Sequence, residues 1–335
     1  MDTVTQIILG AAVGQVVMGR RVGRKAAAWG ALCGTLPDLD VLIPHAGPVA
    51  DFTYHRSFSH SLLVLAALTP LLAGLINKLQ PTRHRYYPGW CWLVGLSLIT
   101  HALLDCFTIY GTQIFWPLSE WPVALGSVFI IDPAYTVLLA LGLGAALLSR
   151  ANSGRCAQMN ALGLCLSTLY LGWSLAAKLH VQSVAERALA EQSHPYERIE
   201  VLAAPLNTLL WRVVAMDQQA YRVGWYSLLD PTPMIRFARY DSEKLWLAGL
   251  EAHWPVQRLK WFTKGFYRVE RERSDILITD IRMGVEGSYV FRFKVGEVGA
   301  GRARPVPDES RRQLQSLDGI QAVFQRIFDP QVALD

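Results

Sequence analysis

Six long apolar runs, Val4–Gly19, Ala26–Ile43, Ser61–Ile76, Trp90–Ile109, Val123–Leu148 and Ala157–Ala177, follow one another through the first half of the chain. A helix needs about 20 mainly apolar residues to cross the roughly 30 Å hydrocarbon core of a bilayer, and several runs approach that length. They predict an α-helical multi-pass membrane domain of four to six helices over residues 1–178. The first run is short and rich in small residues (Gly10, Ala11, Ala12, Gly14). It suits close packing on a neighbouring helix, and equally a re-entrant hairpin with the second run.

From His180 onward charged residues recur every few positions and no apolar run is long enough to span. Residues 179–335 are therefore read as a soluble α+β domain. Lys178–Gln192 has the pattern of an amphipathic helix, Ile276–Ile281 and Tyr289–Val295 of strands, and Gly284, Gly287 and Gly296 of turns. Asp241-Ser242-Glu243 reads as the start of a helix over Lys244–Trp254. Ala300–Asp308, with its Gly, Arg and Pro, reads as a mobile loop.

Charge orders the runs in the membrane. Arg20, Arg21, Arg24 and Lys25 follow the first run, Lys78, Arg83 and Arg85 the third, and Arg150 and Arg155 the fifth. Basic loops stay cytoplasmic, so Pro44–Phe58 and Tyr110–Pro122 belong on the outer face. If all six runs span, the C-terminal domain is periplasmic. The same rule accounts for the net charge of +5 in 335 residues, so that charge gives no ground for a nucleic-acid partner. The five cysteines show no paired CxxC spacing and read as small apolar side chains, not a structural zinc site. No cleavable signal is expected, because the first run lacks a basic lead and a small-residue cleavage site.

Against this apolar background the ionisable residues stand out: Asp38 and Asp40, His55 and His60, His101 and Asp105, and Asp132. Ionisable groups within membrane segments are costly and default to function. The loop topology puts all seven toward the outer face, at the ends of the runs or in the loop between them. His101 and Asp105 are four residues apart and share a helix face. Asp38 and Asp40 do not, but Pro37 predicts an irregular backbone that could aim both at one ion. His55 is expected before the next helix and His60 at its start. Imidazole and carboxylate without thiolate suit Zn²⁺, Mn²⁺ or Fe²⁺, as one ion or two. Asp38, Asp40, His55, His60, His101 and Asp105 are the candidate ligands. Arg56 and Asp132 are the candidate catalytic residues, Arg56 to hold an anion. Ser59 and Ser61 could be nucleophiles, though capping is the commoner role.

All of these residues but Asp132 lie in Leu36-Pro37-Asp38-Leu39-Asp40, His55-Arg56-Ser57-Phe58-Ser59-His60-Ser61 and His101-Ala102-Leu103-Leu104-Asp105. With the opening Met1-Asp2-Thr3-Val4-Thr5 and Tyr110-Gly111-Thr112-Gln113, they resemble the YdjM-like family of membrane-bound metal-dependent hydrolases, also labelled LexA-binding, inner-membrane-associated hydrolases. The resemblance covers about Met1–Leu148. It implies a bacterial inner-membrane location, hydrolase activity, and the His and Asp residues above as metal ligands. Gln6 stands where many relatives have His.

Three functions follow as alternatives. The first is a metal-dependent hydrolase acting at the outer leaflet on a lipid-linked or phosphate-ester substrate. The second is a non-enzymatic metal-binding or ion-translocating protein. The third is a membrane anchor for an envelope-binding C-terminal domain.

Overall fold

The computed structural model describes residues 1–148, 154–299, 301–311 and 318–334, and the chain divides into two units. Along it run α1 (Thr3–Val22), α2 (Lys25–Thr35), a 3₁₀ segment (Leu36–Leu42), α3 (Pro48–Tyr54), a 3₁₀ turn (Phe58–His60), α4 (Leu62–Leu79), α5 (Tyr87–Asp105), α6 (Pro133–Leu148) and α7 (Gly154–Glu191). The first unit holds Met1–Ile43 and His55–Ser174. The second holds Leu175–Asp335 and also Pro44–Tyr54, so α3 folds with residues far downstream of it.

In the first unit Asp2 caps α1 by accepting from Thr5 N at 3.0 Å. Gly23, at φ 64°, turns the chain into α2. α1 and α2 then pack through glycine: a Cβ on Gly10 or Gly14 would strike the backbone of Gly30 or Ala26, and one on Gly34 would come within 2.8 Å of Gln6 O. Close backbone approach through small residues is how membrane helices gain packing where burial from water gives none. Pro37 ends α2 and the chain tightens into the 3₁₀ segment. Ser61 is the N-cap of α4, accepting from Val64 N at 3.4 Å.

Among the described residues three helices are long and apolar enough to cross a membrane: Leu62–Leu79, Tyr87–Asp105 and Ala157–Glu191. α6 is apolar but has 16 residues, and α1 with α2 forms a separate helical pair. Two expectations are corrected here. Val123–Leu148 is helical only from Pro133, whose fixed φ and missing N–H suit the first turn of a helix. Ala157–Ala177 and Lys178–Gln192 are one continuous helix, α7, with no breaker between them. Arg150 lies outside the described residues.

The second unit carries two four-stranded antiparallel sheets. One is ordered β1 (Arg198–Ala203), β2 (Leu210–Met216), β3 (Ala220–Ser227), β4 (Phe237–Asp241). The other comprises β5 (Tyr267–Glu272), β6 (Asp275–Asp280), β9 (Arg292–Gly299) and β10 (Arg302–Ser310), ordered β10-β9-β6-β5. β7 (Gly284–Val285) and β8 (Ser288–Tyr289) form a small hairpin. Val181, Val184 and Ala188 of α7 pack on Trp211, Val213 and Tyr226.

Three local readings are corrected. Lys244–Leu247 is a 3₁₀ turn, and the helix, α8, is Trp254–Phe262 with Pro255 in its first turn. Tyr289–Val295 breaks between β8 and β9. The expected mobile loop is, from Arg302 on, strand β10, paired to β9.

α3 belongs to this unit's core. The Phe52 ring lies 4.8 Å from Phe262, 4.4 Å from Phe291 and 5.3 Å from Phe293, centroid to centroid. Val49 N donates to Asp308 at 2.7 Å and Arg258 Nε to Thr53 Oγ1 at 3.0 Å. Phe52→Ala should therefore destabilise the second unit by about 3–5 kcal/mol, the usual cost of emptying a buried aromatic site. Denaturant unfolding of the full chain, followed by tryptophan fluorescence, measures it; a shift no larger than that of an exposed substitution would place Phe52 outside the core.

Candidate metal centre

The donor-bearing residues sit at helix ends. Asp38 is in the 3₁₀ segment after α2, His60 two residues before α4, and Asp105 is the last residue of α5 with His101 one turn earlier. Asp38, His60, His101 and Asp105 come together so that one donor atom from each lies within 4.8 Å of the others. His60 Nε2 and His101 Nε2 are 3.1 Å apart. Asp105 Oδ2 is 3.2 Å from His60 Nε2 and 3.5 Å from His101 Nε2, and Asp38 Oδ1 is 3.5 Å and 3.4 Å from the same two atoms.

The hydrogen bonds behind the imidazoles decide what faces forward. His101 Nδ1 is 2.6 Å from the Gly34 carbonyl, which only accepts, so Nδ1 carries the proton and Nε2 a lone pair. Ser59 Oγ donates its one proton to Asp40 Oδ2 at 2.6 Å. The 2.9 Å contact from His60 Nδ1 to Ser59 Oγ must then be donated by the ring, which leaves His60 Nε2 unprotonated too. No hydrogen bond reaches the buried Asp105 Oδ2. Two imidazole lone pairs and two carboxylate oxygens thus face one another; Arg56 flanks Asp105, but of the described residues no cationic side chain lies among the four donors themselves. Four ligands about 2.0–2.1 Å from a common centre would be about 3.3 Å apart in a tetrahedron, which matches the five distances. The residues fit a divalent metal ion.

The other predicted residues surround this group. Asp40 is spent on its neighbours: Oδ1 meets His55 Nδ1 at 2.8 Å, and Oδ2 accepts from Arg56 N at 2.9 Å and from Ser59. Asp40 and His55 therefore form a pair beside the four donors and are not brought among them. Arg56 is buried at φ 63°, a left-handed turn that sends His55 and His60 back toward one place. Its Nε lies 3.2 Å from Asp105 Oδ2 and its Nη1 donates to Thr108 Oγ1 at 3.3 Å. Asp105 Oδ1 accepts from Gln6 Nε2 at 3.0 Å and is in contact with the Met1 amino group. Asp132 caps α6, accepting from Tyr135 N at 3.1 Å and from Tyr170 OH at 2.9 Å, and is not one of the four. Sequence reading missed the orienting groups. Ser59, a candidate nucleophile by residue type, links Asp40 to His60, and Gly34 acts through a backbone carbonyl that leaves no trace in residue type.

Residues 1–181 match the family described as YdjM inner membrane protein. YfhP of Bacillus subtilis (strain 168) is 25% identical over 316 residues, covering 87% of this chain and 89% of that protein. The inner membrane protein YbcI of Escherichia coli (strain K12) is 36% identical over 98 residues, 28% of this chain and 51% of YbcI. No solved structure matches the chain.

Proposed function

The chain belongs to the YdjM inner membrane protein family, and we propose that it is a metal-dependent hydrolase acting at the outer face of that membrane on a lipid-linked or phosphate ester. The observation that carries this reading is the set of four inward-facing lone-pair donors, Asp38, His60, His101 and Asp105, at the ends of apolar helices. A divalent ion held there, zinc, manganese or iron, would acidify water and polarise an ester oxygen.

The chain's own groups do the rest. Gly34 O and Ser59 hold the two imidazoles in the tautomer that presents Nε2. Arg56 lies against Asp105 and offsets the charge of the carboxylates. His55, tied to Asp40 and one-fifth exposed, stands on the open side of the site. There it can pass a proton to the leaving oxygen as water adds to the ester centre and the ester bond breaks. The outer orientation is supported by the basic residues Arg20 and Arg21 in the last turn of α1, Lys78 in the last turn of α4 and Arg85 just before α5, the last two at the ends of α4 and α5 opposite the donors.

The test is release of p-nitrophenol from p-nitrophenyl phosphate, and of phosphate from dioleoyl phosphatidic acid, by protein purified in detergent. Activity should appear with manganese, zinc or iron, disappear with chelator, and be lost at least 100-fold in His60→Ala. Equal turnover by wild type and His60→Ala on every probe, or none by either, would overturn the hydrolase reading.

A further inference from the structure

We propose that the site is loaded sideways from the bilayer, by a lipid with an anionic headgroup whose chains rest on an apolar lip formed by the segments that carry the donors. This rests on the hydrolase reading and names its substrate class and its access route.

Burial within the site shows where it opens. His60, His101 and Asp105 are fully enclosed, whereas the Asp38 side chain is 17% exposed and that of His55 20%. A ligand therefore arrives along the 3₁₀ segment that bears Asp38. In that segment and just past it, Pro37 and Asp40 are buried and Asp38 nearly so, whereas Leu39, Val41, Leu42 and Ile43 are exposed, Val41 at 65% and Leu42 at 74%. Phe58, in the turn that bears His60, is exposed in the same manner. A polar mouth for a water-soluble ester would not be rimmed by five large apolar side chains.

The membrane accounts for what covers them. α2 has 11 residues, a rise of about 16 Å, roughly half the hydrocarbon thickness, and the 3₁₀ segment carries the chain onward from its end. α4 begins at Leu62 and α5 ends at Asp105, so the donors lie at one end of two helices long and apolar enough to span, the level at which such helices would reach the bilayer surface. At that level Leu39–Ile43 meet acyl chains and Asp38 meets headgroups. A divalent ion approached from the Asp38 side calls for an anionic head, and the lip calls for a tail that never leaves the membrane.

Site-specific photocrosslinking of the full-length protein tests this. Benzoylphenylalanine replaces Leu42 in one variant and Leu71, an exposed residue of α4, in another. Both are placed in vesicles of equal dioleoyl phosphatidic acid and dioleoyl phosphatidylcholine with manganese. At Leu42 the adducts should be lipid, with phosphatidic acid and its diacylglycerol product at least threefold over phosphatidylcholine. At Leu71 the ratio should be near one, and Asp38→Asn should bring the Leu42 ratio down to it. Absence of lipid adducts at Leu42, the same ratio at both positions, or no response to Asp38→Asn would overturn the proposal. Enrichment of intact phosphatidic acid with no turnover of any ester would remove the hydrolase reading and keep the lipid route.

Discussion

His101→Ala should leave the purified protein with less than about a tenth of the metal that the wild type retains, and without measurable hydrolysis. The substitution removes one of four donors and also opens a void where the ring is fully buried. It leaves Asp38, His60 and Asp105, three donors where a tetrahedral ion takes four. Acidification does by protonation what the substitution does by deletion: imidazole must be neutral to bind, so metal is released as the pH falls. Elemental analysis of both proteins, at neutral pH and after mild acid, measures the effect. Equal metal in His101→Ala and wild type would remove His101 from the donor set.

The second large effect is expected far from any donor. Gly30→Leu should prevent stable folding of the first unit, because a Cβ there would run into the Gly10 backbone and come within 3.0 Å of Gly14 Cα. Side chains can step aside for an added atom and paired backbones cannot, so the cost should exceed the roughly 1–3 kcal/mol of ordinary overpacking. Gly144→Leu is the contrast. A Cβ at Gly144 meets nothing within 4 Å, and the exchange replaces a poor helix former, so stability should change by less than about 1 kcal/mol. Thermal melts in one detergent, read as the fraction remaining monodisperse, separate the two. A Gly30→Leu protein as stable as Gly144→Leu would mean that α1 and α2 do not approach as closely as their glycines allow.

Legibility in the sequence followed the range of the interaction. His101 and Asp105 could be paired from their spacing alone, because a helix fixes the direction of residues four apart. Pro37 signalled the break that brings Asp38 into the site. It could not signal that Asp40, two residues on, would turn instead to His55, Arg56 and Ser59, since that depends on a chain reversal at Arg56 which nothing local demands. The amphipathic pattern of Lys178–Gln192 was visible, but its fusion with the apolar helix before it was not, because the charge density changes there and the backbone does not. Least legible was the membership of Pro44–Tyr54 in the second unit. In sequence those residues read as a loop between two pairs of candidate ligands, and their partners lie more than 200 positions away.

That distance has a consequence in time. Phe262, Phe291 and Phe293 are synthesised about 210 to 240 residues after Phe52. At roughly 5–20 residues per second, α3 waits about 10–50 s on the ribosome-bound chain before its aromatic core exists. The loop joining Asp40 to His55 is among the first parts of the protein to be made and among the last to be anchored. A chain that stops short of β9 carries all four candidate donors and lacks part of the core that holds the loop between Asp38 and His60.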